Sequence, residues 1–143
     1  GFGYFVFSLV ESLRAGKEFA VWGGDRVNKV TTPSLAAEIG AQLERVILRK
    51  AVGTFHLVGD EAVSRMELAK MTCEVFDLDT SLLTESEPPA DQLFPAAVPV
   101  DSSLGNEYTK KILGIEPQPL RKILEAFKQE LETGKINPLT QAE

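Results

Sequence analysis

Near the start of the chain apolar residues recur four apart, at Phe5, Leu9 and Leu13, with Val6 and Val10 beside them. That spacing predicts one face of a helix, and Gly16 supplies its stop. The stretch EFAVW is β-prone and ends at Gly23-Gly24, which predicts a strand running into a loop. The loop GGDRVNKVT leads to Thr32-Pro33, where Thr32 is the expected N-cap of a second helix and Pro33 lies in its first turn. Leu35, Ile39, Leu43 and Ile47 are again four apart and are the expected buried face. Gly40 weakens that helix by about 1 kcal/mol relative to Ala.

The short apolar run GTFHLVG, Gly53–Gly59, predicts a second strand between two glycines. Ser64 followed by Glu67 is a capping box, and the helix it opens should bury Leu68, Met71, Val75 and Phe76. TSLLTES is a third candidate strand. The irregular stretch EPPADQLFPAAVPVD then holds four of the eight prolines. Proline donates no ladder hydrogen bond, so this stretch should run over a surface. A short helix is expected from Glu107 to Leu113, ended by Gly114. A last helix should carry Leu120, Ile123, Leu124, Phe127 and Leu131 on one face. Residues 137–143 are expected to be a frayed tail behind a body spanning 1–136. Helices alternating with strands argue an α/β fold, with too few strands for a complete doubly wound sheet.

Composition narrows the function classes. The chain has 143 residues, 43% of them hydrophobic, which suits one domain or one lobe of a larger protein. A net charge of −6 repels phosphate backbones and argues against nucleic acid as a partner. The apolar run GFGYFVFSLV is shorter than the ~20 residues a membrane helix needs, and Glu11 and Arg14 follow at once. The lone Cys73 excludes an internal disulfide framework and fits a reducing, cytoplasmic compartment. The start inside an apolar segment reads as a fragment boundary.

Little in the sequence carries chemistry of its own. No Gly-x-Gly-x-x-Gly follows a strand, and Gly23-Gly24 lacks the third glycine, so a phosphate-cradling cofactor loop is not expected. His56, the only histidine, has no G-x-S-x-G partner for a catalytic triad. One histidine and one cysteine do not make a metal site. His56 therefore reads as a partly buried strand residue whose ring bonds backbone, and Cys73 as a small packed hydrophobe. Glu85 and Glu87 read as solvated. No catalytic residue is expected. What remains is the loop GGDRVNKVTTP, because loops at strand ends are where α/β proteins bind ligands. Arg26 can grip a phosphate or carboxylate bidentately, with Asn28 and Thr31 beside it; the alternative is a surface pairing of Arg26 with Asp25 or Glu38.

Taken in order, GYFVFSLVESLRAGKEFAV, DRVNKVTTPSLAAEI, GTFHLVGDEAVSRMELAKM, VPVDSSL and LGIEPQPLRKILEAF resemble the C-terminal part of extended short-chain dehydrogenase/reductases, in particular the RmlD-like dTDP-4-dehydrorhamnose reductases. The resemblance covers nearly the whole chain. It implies a substrate-binding portion of a Rossmann-type fold, with an incomplete sheet and several packed helices. It implies a sugar-nucleotide substrate, gripped in part by Arg26, Asn28 and Thr31. NADH or NADPH and the family's Tyr-x-x-x-Lys pair would belong to an N-terminal cofactor domain of the full-length protein, leaving this chain alone inactive and without cofactor. His56 resembles the histidine of a structural G-x-x-H-x-x-G strand. The chain departs from the family at Val30, Leu35, Val98 and Gly105, where Pro, Asp, Arg and Asp are usual. The regulatory β subunit of methionine adenosyltransferase, a non-catalytic binding partner of the same architecture, is similar in GTFHLVGDEAVSRMELA and the VFDLDTSLL that follows, and is the alternative. Without the cofactor domain, the face of Phe5, Leu9 and Leu13 and the strand Thr54 to Val58 should lie open and favour either self-association, as a homo-oligomer, or marginal stability.

Overall fold

A computed structural model describes residues 2–93 and 95–135, with side chains from Tyr4 onward; the expected tail at 137–143 lies outside the described residues. The elements, in chain order, are α1 (Phe2–Arg14), β1 (Phe19–Trp22), β2 (Val30–Thr31), α2 (Ala36–Leu48), β3 (Val63–Ser64), α3 (Arg65–Phe76), β4 (Leu83–Ser86), α4 (Glu107–Leu113) and α5 (Leu120–Thr133). The α/β expectation is met. The described residues divide into two compact units. One holds the chain up to Thr31 together with Ala62–Ser103, the other Thr32–Glu61 together with the chain from Leu104 onward.

In the first unit β1 and β4 pair in parallel, from Phe19 against Leu83 to Trp22 against Ser86. The antiparallel pair β2–β3 sets Val30 against Ser64 and Thr31 against Val63, and Val30 also bridges Asp101. Helix α1 forms where its spacing predicts and buries Val6, Leu9, Val10 and Leu13. Its apolar face is therefore closed inside this unit, against the expectation that it would lie open. Gly16 ends the turn that follows at φ +67°, a conformation that suits a residue without Cβ. The capping box before α3 is present in full: the Glu67 N–H donates to Ser64 Oγ at 3.1 Å, and the Ser64 N–H donates to a Glu67 carboxylate oxygen at 2.8 Å. Helix α3 buries Leu68, Ala69, Thr72, Cys73 and Phe76. Its stripe is rotated from the expected one, so Met71 and Val75 are only half-buried. Thr72 tolerates burial because its hydroxyl donates to the Leu68 carbonyl at 2.7 Å. Cys73 packs as expected, and desolvation raises its thiol pKa.

The second unit departs further from its sequence pattern. Helix α2 starts at Ala36, and Thr32 does not cap it. Thr32 Oγ1 accepts the Leu104 N–H at 3.0 Å, and Ser34 Oγ accepts the Gly59 N–H at 2.8 Å, so both local capping hydroxyls serve tertiary bonds. The buried face of α2 is also not the expected one. Glu38 and Gln42 are 2% and 1% exposed, whereas Ile39, Leu43 and Ile47 are 36%, 49% and 67% exposed, and Leu35 is half-buried. Glu38 accepts the Gln118 N–H at 2.7 Å, and Gln42 Nε2 donates to the Val58 carbonyl at 3.1 Å. Desolvation nevertheless raises the Glu38 pKa. The segment Gly53–Gly59 joins no ladder among the described residues, so the expected second strand is not formed here. Its side chains still alternate, Phe55 and Leu57 half-buried, Thr54 and His56 exposed. Gly59 passes so close to Pro33 that a Cβ would stand 2.3 Å from its carbonyl oxygen. Helix α4 ends at Gly114 as expected, and α5 buries Leu120, Ile123, Leu124 and Ala126, with Phe127 and Leu131 half-buried.

Candidate functional site

The first unit carries the concave surface. An open cavity of about 520 Å³ is lined by Tyr4, Phe5 and Ser8 of α1, Phe19, Ala20 and Trp22 of β1, and Arg65 at the first position of α3. Its walls follow from local structure. Tyr4 and Ser8 are four apart on α1, and Ala20 and Trp22 are two apart on β1, so each pair shares one face of its element. The Phe5 and Phe19 rings meet edge to face at 5.5 Å, which fixes the floor.

Arg65 is placed by two independent contacts. Its backbone N–H donates to the Lys29 carbonyl at 2.8 Å, extending the β2–β3 pairing into the helix start. Its Nε donates to the Asn28 carbonyl. The guanidinium carbon then stands 5.9 Å from the centre of the Phe5 ring, within cation–π range. Desolvation lowers the Arg65 pKa, but a guanidinium starts high enough to stay charged. Nothing in the sequence marked this residue. It reads there as one more polar position in a capped helix, and only the β2–β3 pairing turns it toward β1.

The expected site residues lie beside this cavity rather than in it. Arg26 and Asn28 line a second cavity of about 90 Å³, together with Trp22, Arg65, Pro88, Leu93 and Val98. Arg26 is exposed and also borders a shallow opening of about 210 Å³ that Asp25 and Glu87 share. Asn28 ties the loop down: its amide donates to Ser102 Oγ at 2.7 Å and to the Pro99 carbonyl at 3.1 Å. Thr31 is 5% exposed within the β2–β3 ladder and lines none of these cavities. Trp22 and Arg65 are the walls common to the first two cavities.

The Gly23-Gly24 turn does not suit a dinucleotide. A Cβ on Gly23 would stand 2.7 Å from a Glu85 carboxylate oxygen and one on Gly24 3.3 Å from a Glu87 oxygen. Two carboxylates over a turn repel the pyrophosphate that such a loop would have to cradle. Among the described residues no three His, Cys, Asp or Glu side chains gather as a metal site. His56 lies in the second unit. Its Nδ1 is 2.9 Å from the Gly105 carbonyl, which can only accept, so Nδ1 carries the proton. Its backbone N–H donates to Thr109 Oγ1 at 3.0 Å. The ring bonds backbone as expected, but His56 is exposed and joins no strand, against the expectation of a partly buried strand residue. No helix among the described residues is long and apolar enough to cross a membrane.

Comparison with known proteins places this architecture. The family model described as the RmlD substrate binding domain matches residues 3–133. No curated protein sequence matches. Among solved structures, a dTDP-4-dehydrorhamnose reductase from Bacillus anthracis str. Ames, in complex with NADP, is similar with a TM-score of 0.72 at 18% identity. That match covers 88% of this chain and 43% of the reductase. A dTDP-glucose 4,6-dehydratase from the same organism, in complex with NAD, is similar with a TM-score of 0.62 at 14% identity, over 89% of this chain and 40% of that one. The chain thus spans less than half the length of either solved protein, and at these identities the likeness is one of fold. The family match itself runs almost from end to end of the sequence, through α1, both strand pairs and the last helix: this chain belongs to the RmlD substrate-binding-domain family.

Proposed function

We propose that this chain is the substrate side of a sugar-nucleotide reductase of the dTDP-4-dehydrorhamnose reductase type, and that its first unit binds the nucleoside diphosphate sugar. The observation that carries this reading is the 520 Å³ cavity walled by Tyr4, Phe5, Phe19 and Trp22, with a guanidinium at its rim, in a chain of the substrate-binding family. Aromatic side chains give a planar base a surface to stack on, and a half-buried cation suits the phosphates next to it. Hydride would come from a nicotinamide cofactor held by another part of a longer protein. The carboxylate-lined Gly23-Gly24 turn gives that cofactor no phosphate cradle here. The role of this chain's residues is to bind and orient substrate; on this reading Arg26 and Asn28 border the path from the aromatic cavity, and Thr31 holds the β2–β3 ladder.

Trp22 is the only tryptophan, so its fluorescence reports on the site directly. Titration with dTDP should give a saturable change in Trp22 emission, matched by heat in calorimetry. No change in either, up to millimolar nucleotide, would overturn the proposal.

A further inference from the structure

Two arginines stand near the cavities, and their surroundings differ. Arg26 is exposed and borders an opening that also presents Asp25 and Glu87. Carboxylates bordering the same opening and exposure to solvent both weaken its pull on an anion. Arg65 is half-buried and its Nε is held by the Asn28 carbonyl. It stands over the Phe5 ring and forms a wall of both the aromatic cavity and the loop cavity. A cation whose rotamer is already fixed loses little side-chain entropy on gripping a ligand, and one partly removed from water interacts more strongly with it.

We propose that Arg65, and not Arg26, is the diphosphate anchor of this chain, and that it sets the direction of the ligand: the base on the aromatic side, the sugar on the side of Asn28 and Val98. The inference rests on the nucleotide-binding reading above and deepens it. Arg65 is the charged side chain common to the two cavities, so a ligand whose anionic linker joins two uncharged ends fits it on both sides. Trp22 is the other shared wall and flanks the same junction. The Asn28 amide, tied to Ser102 and Pro99, holds the loop that in turn holds Arg65 Nε, which gives Asn28 a positioning role through Arg65.

The test compares thymidine with dTDP by Trp22 fluorescence and calorimetry, in the unaltered chain and in Arg65→Gln, Arg65→Lys and Arg26→Ala. Circular dichroism melts check that each variant folds. The unaltered chain should bind dTDP at least about tenfold more tightly than thymidine. Arg65→Gln should weaken dTDP by about ten- to a hundredfold, the range for a lost charged hydrogen bond, and leave thymidine unchanged. Arg65→Lys keeps a charge but loses the fork, so it should weaken dTDP several-fold, again with thymidine unchanged. Arg26→Ala, at the border of the sugar-side cavity, should lower the dTDP-to-thymidine ratio by less than Arg65→Gln does. A wild-type dTDP-to-thymidine ratio retained in whichever Arg65 variant folds would overturn the inference, as would loss of that ratio in Arg26→Ala. Equal binding of thymidine and dTDP by the unaltered chain would overturn the anchor while leaving a nucleoside site. Binding of neither would overturn both.

Discussion

The two units obey their hydrophobic patterns to different degrees. In the first, α1 buries the face its spacing predicts, and Leu9 and Val10 are fully enclosed. In the second, α2 carries an equally regular apolar row at Ile39, Leu43 and Ile47, and that row is exposed while Glu38 and Gln42 are buried. A helix side chain is buried by whatever packs on it, and periodicity names the apolar face without naming its cover. The first unit closes its helices over its own two strand pairs. The second has no sheet among the described residues, and its expected strand Gly53–Gly59 pairs with nothing. Large exposed apolar patches favour association, so the α2 row is the surface on which self-association is expected.

The sharpest test of this contrast removes one leucine from each unit. Leu68→Ala, at a fully buried position of α3, should destabilise the chain by about 2–5 kcal/mol in urea or thermal unfolding. Leu43→Ala, at a half-exposed position of α2, should change stability by under about 0.5 kcal/mol. Similar losses at both sites would mean that the α2 row is covered after all.

A cap and a buried acid come next. Ser64→Ala removes half of the box that starts α3 and should cost about 1 kcal/mol. Glu38 has a pH signature. Its folded pKa is raised above the ordinary 4.5, so the folded state binds the proton more tightly than the unfolded state. Its contribution is most favourable below about pH 4.5 and is lost as pH rises through the folded pKa. Glu38→Gln keeps an acceptor for the Gln118 N–H and removes the buried charge. It should therefore raise stability near pH 7, by about 1 kcal/mol, and have little effect at pH 4. A stabilisation independent of pH would show that Glu38 is not the titrating group.

The same contrast predicts where association arises. Sedimentation velocity should show concentration-dependent self-association that Ile47→Lys reduces, because Ile47 is among the most open of the α2 row. A monomer at every concentration would leave the row without that role. A modest effect is expected of His56→Ala, which loses a bond to an exposed carbonyl. It should cost about 0.5–1.5 kcal/mol and leave dTDP binding unchanged.

Several local signals were legible in the sequence. The Ser64–Glu67 box, the stop after α1, the Gly114 end of α4 and the α1 face depend on residues within a turn or two of each other, and each formed as read, whereas α5 buries Ala126 and leaves Phe127 and Leu131 half-buried. The ordered set of segments likewise pointed to the RmlD-like family, and the family match spans it. Tertiary structure decided the rest. Thr32 and Ser34 have the chemistry of helix caps, yet partners at Leu104 and Gly59 claimed both hydroxyls, and α2 began four residues later. The loop residues Arg26 and Asn28 stood out because they follow a strand. Arg65 did not, because its place at the cavity depends on β2 pairing with β3 across more than thirty residues of chain. Sequence periodicity sees the nearest turn; a site assembled from α1, β1 and α3 exists only once those three elements have packed.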